Sequence, residues 1–165
     1  MAKVICLCGR LCSGKSTYAK TLRAQTGAVI LSTDELMLTV IGPDAGEMHD
    51  EYARRIKGFL LAKASEMVQA GVNVILDEGF WTKAERARVR TFFTARAVPC
   101  EFHYLEIDDE TWKARIAKRN AALSAGTQTA GEQPGAYYVD EGLMKKFESM
   151  FEPPEPGEID LWVKG

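Results

Sequence analysis

The chain reads Gly9-Arg10-Leu11-Cys12-Ser13-Gly14-Lys15-Ser16 near its beginning, and this stretch fits the pattern G-x-x-x-x-G-K-S/T at every fixed position. Residues 3–8 before it are typical of a short buried strand, and residues 17–25 after it are typical of a helix. A strand, a glycine-rich turn and a helix N-terminus form a cradle for phosphate, because several backbone N–H groups point at one anion. The sequence therefore predicts a phosphate-binding loop.

Each residue type in this loop has its own predicted role. The two glycines let the backbone curl around an anion. Lys15 can reach the β- and γ-phosphates of a nucleotide, and the hydroxyl group of Ser16 can hold Mg²⁺. The residues expected to bind the nucleotide are Gly9, Leu11, Cys12, Ser13, Gly14, Lys15, Ser16 and Thr17. On the motif alone, an ordinary glycine-rich turn between a strand and a helix remains the alternative.

Length and composition favour one globular domain that spans residues 1–165. Hydrophobic residues make up 46% and charged residues 27% of the chain, which is enough apolar material for a core. The net charge of −2 argues against a protein that coats nucleic acid, because such domains are usually basic. A single strand end entering a small basic cleft is still compatible with this charge.

The lack of a recognisable targeting signal and the use of the cysteines predict a cytoplasmic location. No apolar run approaches the length of a membrane span, and strand-like sequence begins at Lys3, so we expect no signal peptide. The cysteines are Cys6, Cys8, Cys12 and Cys100. Three of them lie close together and could hold a metal, but buried thiols that pack as small hydrophobic groups are the simpler interpretation.

Strand-like and helix-like segments alternate along the chain. The predicted strands are residues 4–8, 28–31, 72–76, 100–107 and 159–163. The predicted helices are residues 15–25, 34–40, 50–70, 83–96, 109–124 and 140–150. This alternation indicates an α/β fold with a mainly parallel sheet.

A segment rich in Gly, Thr and Gln interrupts the alternation at residues 124–136. Together with its flanks it forms a predicted flexible, lid-like segment of about residues 120–138. On composition alone, an ordinary surface loop is equally compatible with this segment.

Carboxylates follow the second predicted strand, at the edge of a parallel sheet where ligands bind. Phosphoryl transfer to an alcohol needs a carboxylate beside the acceptor hydroxyl group, and Asp34 or Glu35 can supply it. The alternative is that Ser32, Thr33 or Asp34 caps the following helix, whose first turn favours acidic residues.

Asp77 ends the third hydrophobic run, which has the form of a Walker-B strand. Such an acidic residue holds Mg²⁺ directly or through water, together with the loop hydroxyl group of Ser16. Glu78 could share this role. Phe80 and Trp81 could line an acceptor pocket or belong to the core.

Two groups of basic residues follow. Lys83, Arg86, Arg88 and Arg90 make one helix basic, and a solvated helix face is favoured there over an anionic acceptor site. Arg115 and Arg119 are four residues apart and share a helix face beside the lid-like segment. They could stabilise the transferring phosphate, or form surface salt bridges with Asp108, Asp109 or Glu110.

These motifs together resemble small P-loop kinases related to the kinase domain of phage polynucleotide kinase. Zeta-toxin and gluconate kinases are more distant relatives, and many members are described only as AAA-domain-type ATP-binding proteins or predicted kinases. The resemblance is carried by residues 9–17, Ser32-Thr33-Asp34-Glu35, residues 76–80, the basic helix after the third strand, residues 115–120 and Phe151-Glu152-Pro153-Pro154. It implies a three-layer α/β/α P-loop NTPase fold with a five-stranded parallel sheet in the order 2-3-1-4-5.

The resemblance also implies roles for single residues. Asp34 matches the general base, and Arg115 and Arg119 match the lid arginines of that group. Met37 stands where polynucleotide kinases carry an arginine, three residues after the catalytic acid.

The preferred hypothesis is an ATP- and Mg²⁺-dependent phosphotransferase that acts on a hydroxyl group of a small molecule. The catalytic residues would be Lys15, Asp34, Arg115 and Arg119, and the metal ligands Ser16 and Asp77. A polynucleotide 5′-hydroxyl kinase is one alternative. A nucleotide-dependent switch without an acceptor is another, although the chain lacks the Asn-Lys-x-Asp signature of GTPases.

Overall fold

The computed structural model describes residues 1–126 and 138–164. Its strands are β1 (Val4–Cys8), β2 (Val29–Leu31), β3 (Val74–Gly79), β4 (Cys100–Glu106) and β5 (Leu161–Lys164). Its α-helices are α1 (Lys15–Thr26), α2 (Thr33–Val40), α3 (His49–Gln69), α4 (Lys83–Thr94), α5 (Asp109–Ser124) and α6 (Glu141–Met150). Short 3₁₀ helices cover Gly46–Met48 and Pro156–Glu158.

The five strands form one parallel sheet in the order β2-β3-β1-β4-β5. The fold predicted from the family resemblance is therefore confirmed. Because every strand runs the same way, the carboxyl ends of β1, β2 and β3 meet at one edge. The phosphate-binding loop follows β1 at that edge, and α2 begins there two residues after β2.

Strand β1 lies at the centre of the sheet and is buried on both faces. Val4, Cys6 and Cys8 pack with side chains of α3 and α4 on one face. Ile5 and Leu7 pack with α1 on the other face. The continuous apolar run of this strand follows from that position, since a central parallel strand has helices on both sides. Cys6 and Cys8 are thus buried thiols in the core, as predicted.

Two strands differ from the sequence prediction by two residues or more at one or both ends, and β2 and β4 differ by one residue. Strand β3 was expected over residues 72–76 but runs from Val74 to Gly79, because its pairing with β1 continues through Leu7 opposite Asp77. The predicted last strand, 159–163, begins later, at Leu161, because Ile159 caps the 3₁₀ helix Pro156–Glu158 through its backbone N–H. Asp77 and Glu78 therefore lie within the strand and not in a loop after it.

The predicted lid-like segment of about residues 120–138 lies largely outside the described residues. Its first residues, up to Ser124, continue helix α5. Among the helices of the described ranges, none combines the length and the apolar character needed to cross a membrane.

Candidate functional site

The phosphate-binding loop has a backbone shape that requires glycine at Gly9. Its φ angle is +155°, and an added Cβ would lie 2.7 Å from Ser13 Oγ and 3.1 Å from the carbonyl oxygen of Leu105. Gly14 also has a positive φ, +94°, immediately before α1. Cys12 adopts a φ of +58°, which is uncommon for a residue with a side chain. The loop is therefore tightly curled, as the motif predicts.

Two tryptophans hold this loop by its carbonyl groups. The indole Nε1 of Trp81 donates a hydrogen bond to Gly9 O at 3.2 Å, and that of Trp112 donates to Leu11 O at 2.7 Å. The backbone N–H of Gly9 donates to Gly79 O at 3.0 Å. The loop is thus fixed to the end of β3 on one side and to α5 on the other. Sequence reasoning did not assign this role to Trp81 and did not single out Trp112.

Lys15 lies across the loop, where its ammonium group donates to Gly9 O at 3.1 Å and to Arg10 O at 2.7 Å. Burial lowers the pKa of Lys15, whereas the negative charges of Asp77 and Asp34 oppose that shift. A cation is therefore placed at the loop with two carboxylates in electrostatic range.

Ser16 and Asp77 meet at the start of α1, where the hydroxyl group of Ser16 donates to Asp77 Oδ2 at 2.9 Å. Burial raises the pKa of Asp77, and the charge of Lys15 and the bond from Ser16 partly offset this effect. The structure therefore brings together the two residues predicted to bind metal. Both offer oxygen atoms, the ligand type that Mg²⁺ prefers.

Asp34 lies in the first turn of α2 and is exposed. Ser32 caps this helix by accepting a hydrogen bond from the backbone N–H of Glu35 at 3.3 Å, so the side chain of Asp34 is not the cap. The charge of Asp34 raises the pKa of Lys15 and Asp77. The predicted base is therefore within electrostatic range of Lys15 and Asp77.

Glu78 bonds to the residue that precedes Asp34. Its Oε1 accepts hydrogen bonds from Thr33 N at 2.7 Å and Thr33 Oγ1 at 2.8 Å. Burial raises the pKa of Glu78 to about 7, although the bonds from Thr33 and the charge of Lys57 act in the opposite direction. Glu78 therefore ties α2 to β3, a contact that sequence reasoning missed when it gave Glu78 a possible share in metal binding.

Arg115 and Arg119 both reach the phosphate-binding loop from α5. Arg115 Nη1 lies 3.5 Å from the position that a Cβ on Gly14 would take. Arg119 Nη1 donates to Cys12 Sγ at 3.3 Å. Of their predicted alternative partners, Asp109 instead binds Arg10 at 2.7 Å, and Asp108 caps α5.

Three of the four basic residues of α4 have structural partners near the end of the chain. Lys83 pairs with Glu155 at 2.9 Å, Arg86 with Glu158 at 3.0 Å, and Arg90 with Asp160 at 2.8 Å. Arg86 is only 2% exposed and also donates to the carbonyl oxygen of Phe80. The basic character of α4 is therefore mostly structural, with Arg88 as the exposed exception.

Comparison with known proteins finds a family model that matches most of this sequence. Residues 4–136 match the model of a family described as AAA domain. No curated protein matches the sequence. Kti12 from Chaetomium thermophilum, solved with ADP-AlF3, is similar with a TM-score of 0.68 and 17% identity, over 98% of this chain and 88% of that one.

Two kinases are similar over the same extent. The APS kinase of Mycobacterium tuberculosis, solved with AMPPNP and APS, has a TM-score of 0.62 and 20% identity, over 99% of this chain and 88% of its own. An unliganded sugar kinase from Janibacter sp. HTCC2649 has a TM-score of 0.62 and 17% identity, over 99% and 86%. At these identities the likeness shows the fold, which is that of the small P-loop kinases.

Proposed function

This chain belongs to the AAA domain family, and we propose that it is an ATP- and Mg²⁺-dependent phosphotransferase that moves the γ-phosphate to a hydroxyl group of a small-molecule acceptor. The observation that carries the proposal is the exposed carboxylate of Asp34, which lies in the first turn of α2 at the same sheet edge as the loop and whose charge acts on Lys15 and Asp77. A nucleotide switch needs the loop and the metal ligands, but it has no use for a base at the acceptor side.

The phosphate donor would be held by the loop and by Lys15. ATP as donor is supported by relatives of this fold that were solved with AMPPNP or ADP-AlF3. Ser16 and Asp77 would hold Mg²⁺, because both offer oxygen atoms at the start of α1. When bound, the ion would supply positive charge beside the phosphate oxygens.

The transfer step would begin at Asp34. The acceptor hydroxyl group gives its proton to this carboxylate as its oxygen bonds to the γ-phosphorus. The bond between that phosphorus and the β–γ bridging oxygen breaks, and ADP leaves with the electron pair. Arg115 and Arg119, which contact the loop region, would stabilise the charge on the transferring phosphoryl group.

A small-molecule acceptor is favoured over a nucleic-acid end by two features of the sequence. The net charge is −2, and Met37 replaces the arginine of polynucleotide kinases. Free cysteines in the described residues favour a reducing cytoplasm as the place of action.

The direct test is ATP-dependent ADP release with sugars, nucleosides, aminoglycosides and oligonucleotides as acceptors. Asp34→Asn should keep ATP affinity within about twofold and lower transfer by roughly a hundredfold or more, the contribution of one general base. Glu35→Gln is the matched control, because Glu35 is an exposed carboxylate in the same helical turn.

Three outcomes would contradict the proposal. Full transfer activity in Asp34→Asn would remove that residue from the role of base. Transfer to oligonucleotide ends alone would identify a polynucleotide kinase. ATP binding with slow hydrolysis and no response to any acceptor would favour the switch.

A further inference from the structure

A cleft of about 420 Å³ lies between helices α3 and α4. Its polar lining comes from Asp50, Arg54 and Lys57 of α3, from Glu85 and Arg88 of α4, and from Thr82, which caps α4. The volume falls within the range of about 300–1,000 Å³ that is typical of small-molecule sites. The cleft is therefore large enough for an acceptor of the size of a sugar or nucleoside.

The cleft lies at the edge of the sheet that carries the phosphate-binding loop. The second half of α3 packs on the sheet through Leu60, Leu61 and Ala64, and it leads into the start of β3. The first half of α3 therefore lies toward the opposite edge, where β3 ends and α4 begins. Asp34 and Asp77 belong to the same edge, because α2 begins just after β2 and Asp77 lies near the end of β3.

A small cavity of about 10 Å³ lies beside the cleft. Lys57, Glu85 and Arg88 line both the cleft and this cavity, and Glu78 lines the cavity alone. The carboxylate of Glu78 in turn bonds Thr33, the residue before Asp34. The cleft is thus separated by this small cavity from the residue that binds the turn carrying the proposed base.

Among the residues that line this cleft, the three cations Arg54, Lys57 and Arg88 outnumber the two carboxylates Asp50 and Glu85 by one. Glu85 pairs with Lys57 at 2.7 Å. Glu51 serves two arginines of α3, Arg54 at 2.9 Å and Arg55 at 2.6 Å. Arg88 forms no ion pair within the described residues, whereas the other basic residues of α4 do. Its guanidinium group is thus available for an anion.

We propose that this cleft binds the phosphate acceptor, and that the acceptor carries an anionic group besides its hydroxyl group. The guanidinium group of Arg88 holds a phosphate or carboxylate between the helices, because both anions match the planar fork of arginine. Arg54, whose Nε and Nη2 bind Glu51, adds its charge and its remaining Nη1 donor. The hydroxyl group then faces Asp34. This inference rests on the proposed function and names the chemical class of its acceptor.

The experiment compares matched acceptors. Each neutral sugar or nucleoside is tested beside its phosphate monoester and its carboxylic acid, by ADP release and by calorimetric binding in the presence of AMPPNP. We expect kcat/KM for one anionic form to exceed that of its neutral parent by about tenfold or more. The two anionic arms distinguish a phosphate from a carboxylate.

Substitutions in the cleft test whether the preference for anionic acceptors arises there. Arg88→Gln and Arg54→Gln should raise KM for the anionic acceptor by about tenfold, with kcat and ATP affinity nearly unchanged. Lys83→Gln is the matched control, because Lys83 is an exposed cation of α4 that does not line the cleft.

The outcomes separate this inference from the proposed function. If only neutral acceptors are phosphorylated and Arg88→Gln is fully active, the inference of an anionic acceptor is overturned. The proposal that the protein is a phosphotransferase is then still supported. Anionic probes that bind wild type and not Arg88→Gln, without any ADP release, support an anion site and overturn the proposed function. Anionic probes that bind no better than their neutral parents, with no ADP release, overturn both.

Discussion

At the scale of single residues, Glu78 links the strand that carries Asp77 to the helix that carries Asp34. One oxygen of its carboxylate accepts both hydrogen bonds from Thr33. Its burial raises the pKa from 4.5 to about 7, so the folded protein binds this proton more tightly than the unfolded chain does. Protonation of Glu78 therefore stabilises the fold.

The stability of the fold should therefore decrease as Glu78 loses its proton with rising pH. The stabilisation is present below pH 4.5 and is lost as the pH rises to about 7, and the loss amounts to at most about 3 kcal/mol. Glu78→Gln has no proton to lose and should remove this part of the slope. Urea unfolding of both proteins between pH 5 and 8 measures the difference. Parallel curves for wild type and variant would show that Glu78 does not titrate in this range.

At Gly9 the loop leaves no room for any side chain larger than a hydrogen atom. In Gly9→Ala the new methyl group would lie 2.7 Å from Ser13 Oγ and 3.1 Å from a backbone oxygen. Ser13 is 1% exposed, so it has little room to move. We expect nucleotide affinity to fall by at least about tenfold and the free energy of unfolding by about 2 kcal/mol.

A matched control separates crowding from backbone strain. Gly27 also has a positive φ, +67°, but an added Cβ there meets no described atom within 4 Å. Gly27→Ala should cost about 1 kcal/mol of stability and leave AMPPNP binding unchanged. Equal loss of nucleotide binding in both variants would mean that contacts around the loop are not the cause.

At the scale of elements, α4 anchors the end of the chain to the core. Arg86 reaches Glu158 and the carbonyl oxygen of Phe80 from a buried position. Arg90 donates to Asp160, whose carboxylate also accepts from the backbone N–H of Phe102 in β4. Helix α4 thus positions the segment that leads into the edge strand β5.

Loss of the buried guanidinium group of Arg86 should lower the stability of the fold. Arg86→Met keeps most of the side-chain volume but removes the guanidinium group from the carboxylate of Glu158 and the carbonyl oxygen of Phe80, so we expect the free energy of unfolding to fall by about 3 kcal/mol. Lys83→Met breaks the exposed pair with Glu155 and should cost less than about 1 kcal/mol. Thermal and urea unfolding compare the two. A similar small cost for both would show that the buried pair does not stabilise the fold.

At the scale of the whole molecule, local patterns predicted the architecture, and long-range contacts escaped prediction. The alternation of apolar and amphipathic segments, with the loop after the first strand, is enough for a parallel α/β fold. The contact between Glu78 and Thr33 spans 45 residues, and that between Trp112 and Leu11 spans 101. No periodicity encodes such pairs, because they depend on how neighbouring strands align.

The same distinction holds for the candidate site. Ser16 and Asp77 were predicted as partners because each follows a recognisable local pattern, and they lie 2.9 Å apart. The basic residues of α4 share one pattern but have two different surroundings. Only the packed structure separates Arg86, which is buried, from Arg88, which lines a cleft.

The attachment of the phosphate-binding loop has a consequence for how the protein is made. The loop leaves the ribosome before the residues that hold it, because its carbonyl groups are bonded by Trp81 and Trp112, and β1 pairs with β3 and β4. Those partners are synthesised dozens of residues later. A nascent chain that stops before α5 therefore contains the whole motif but lacks the bond from Trp112 to Leu11, and we expect it to bind nucleotide more weakly than the chain that includes α5.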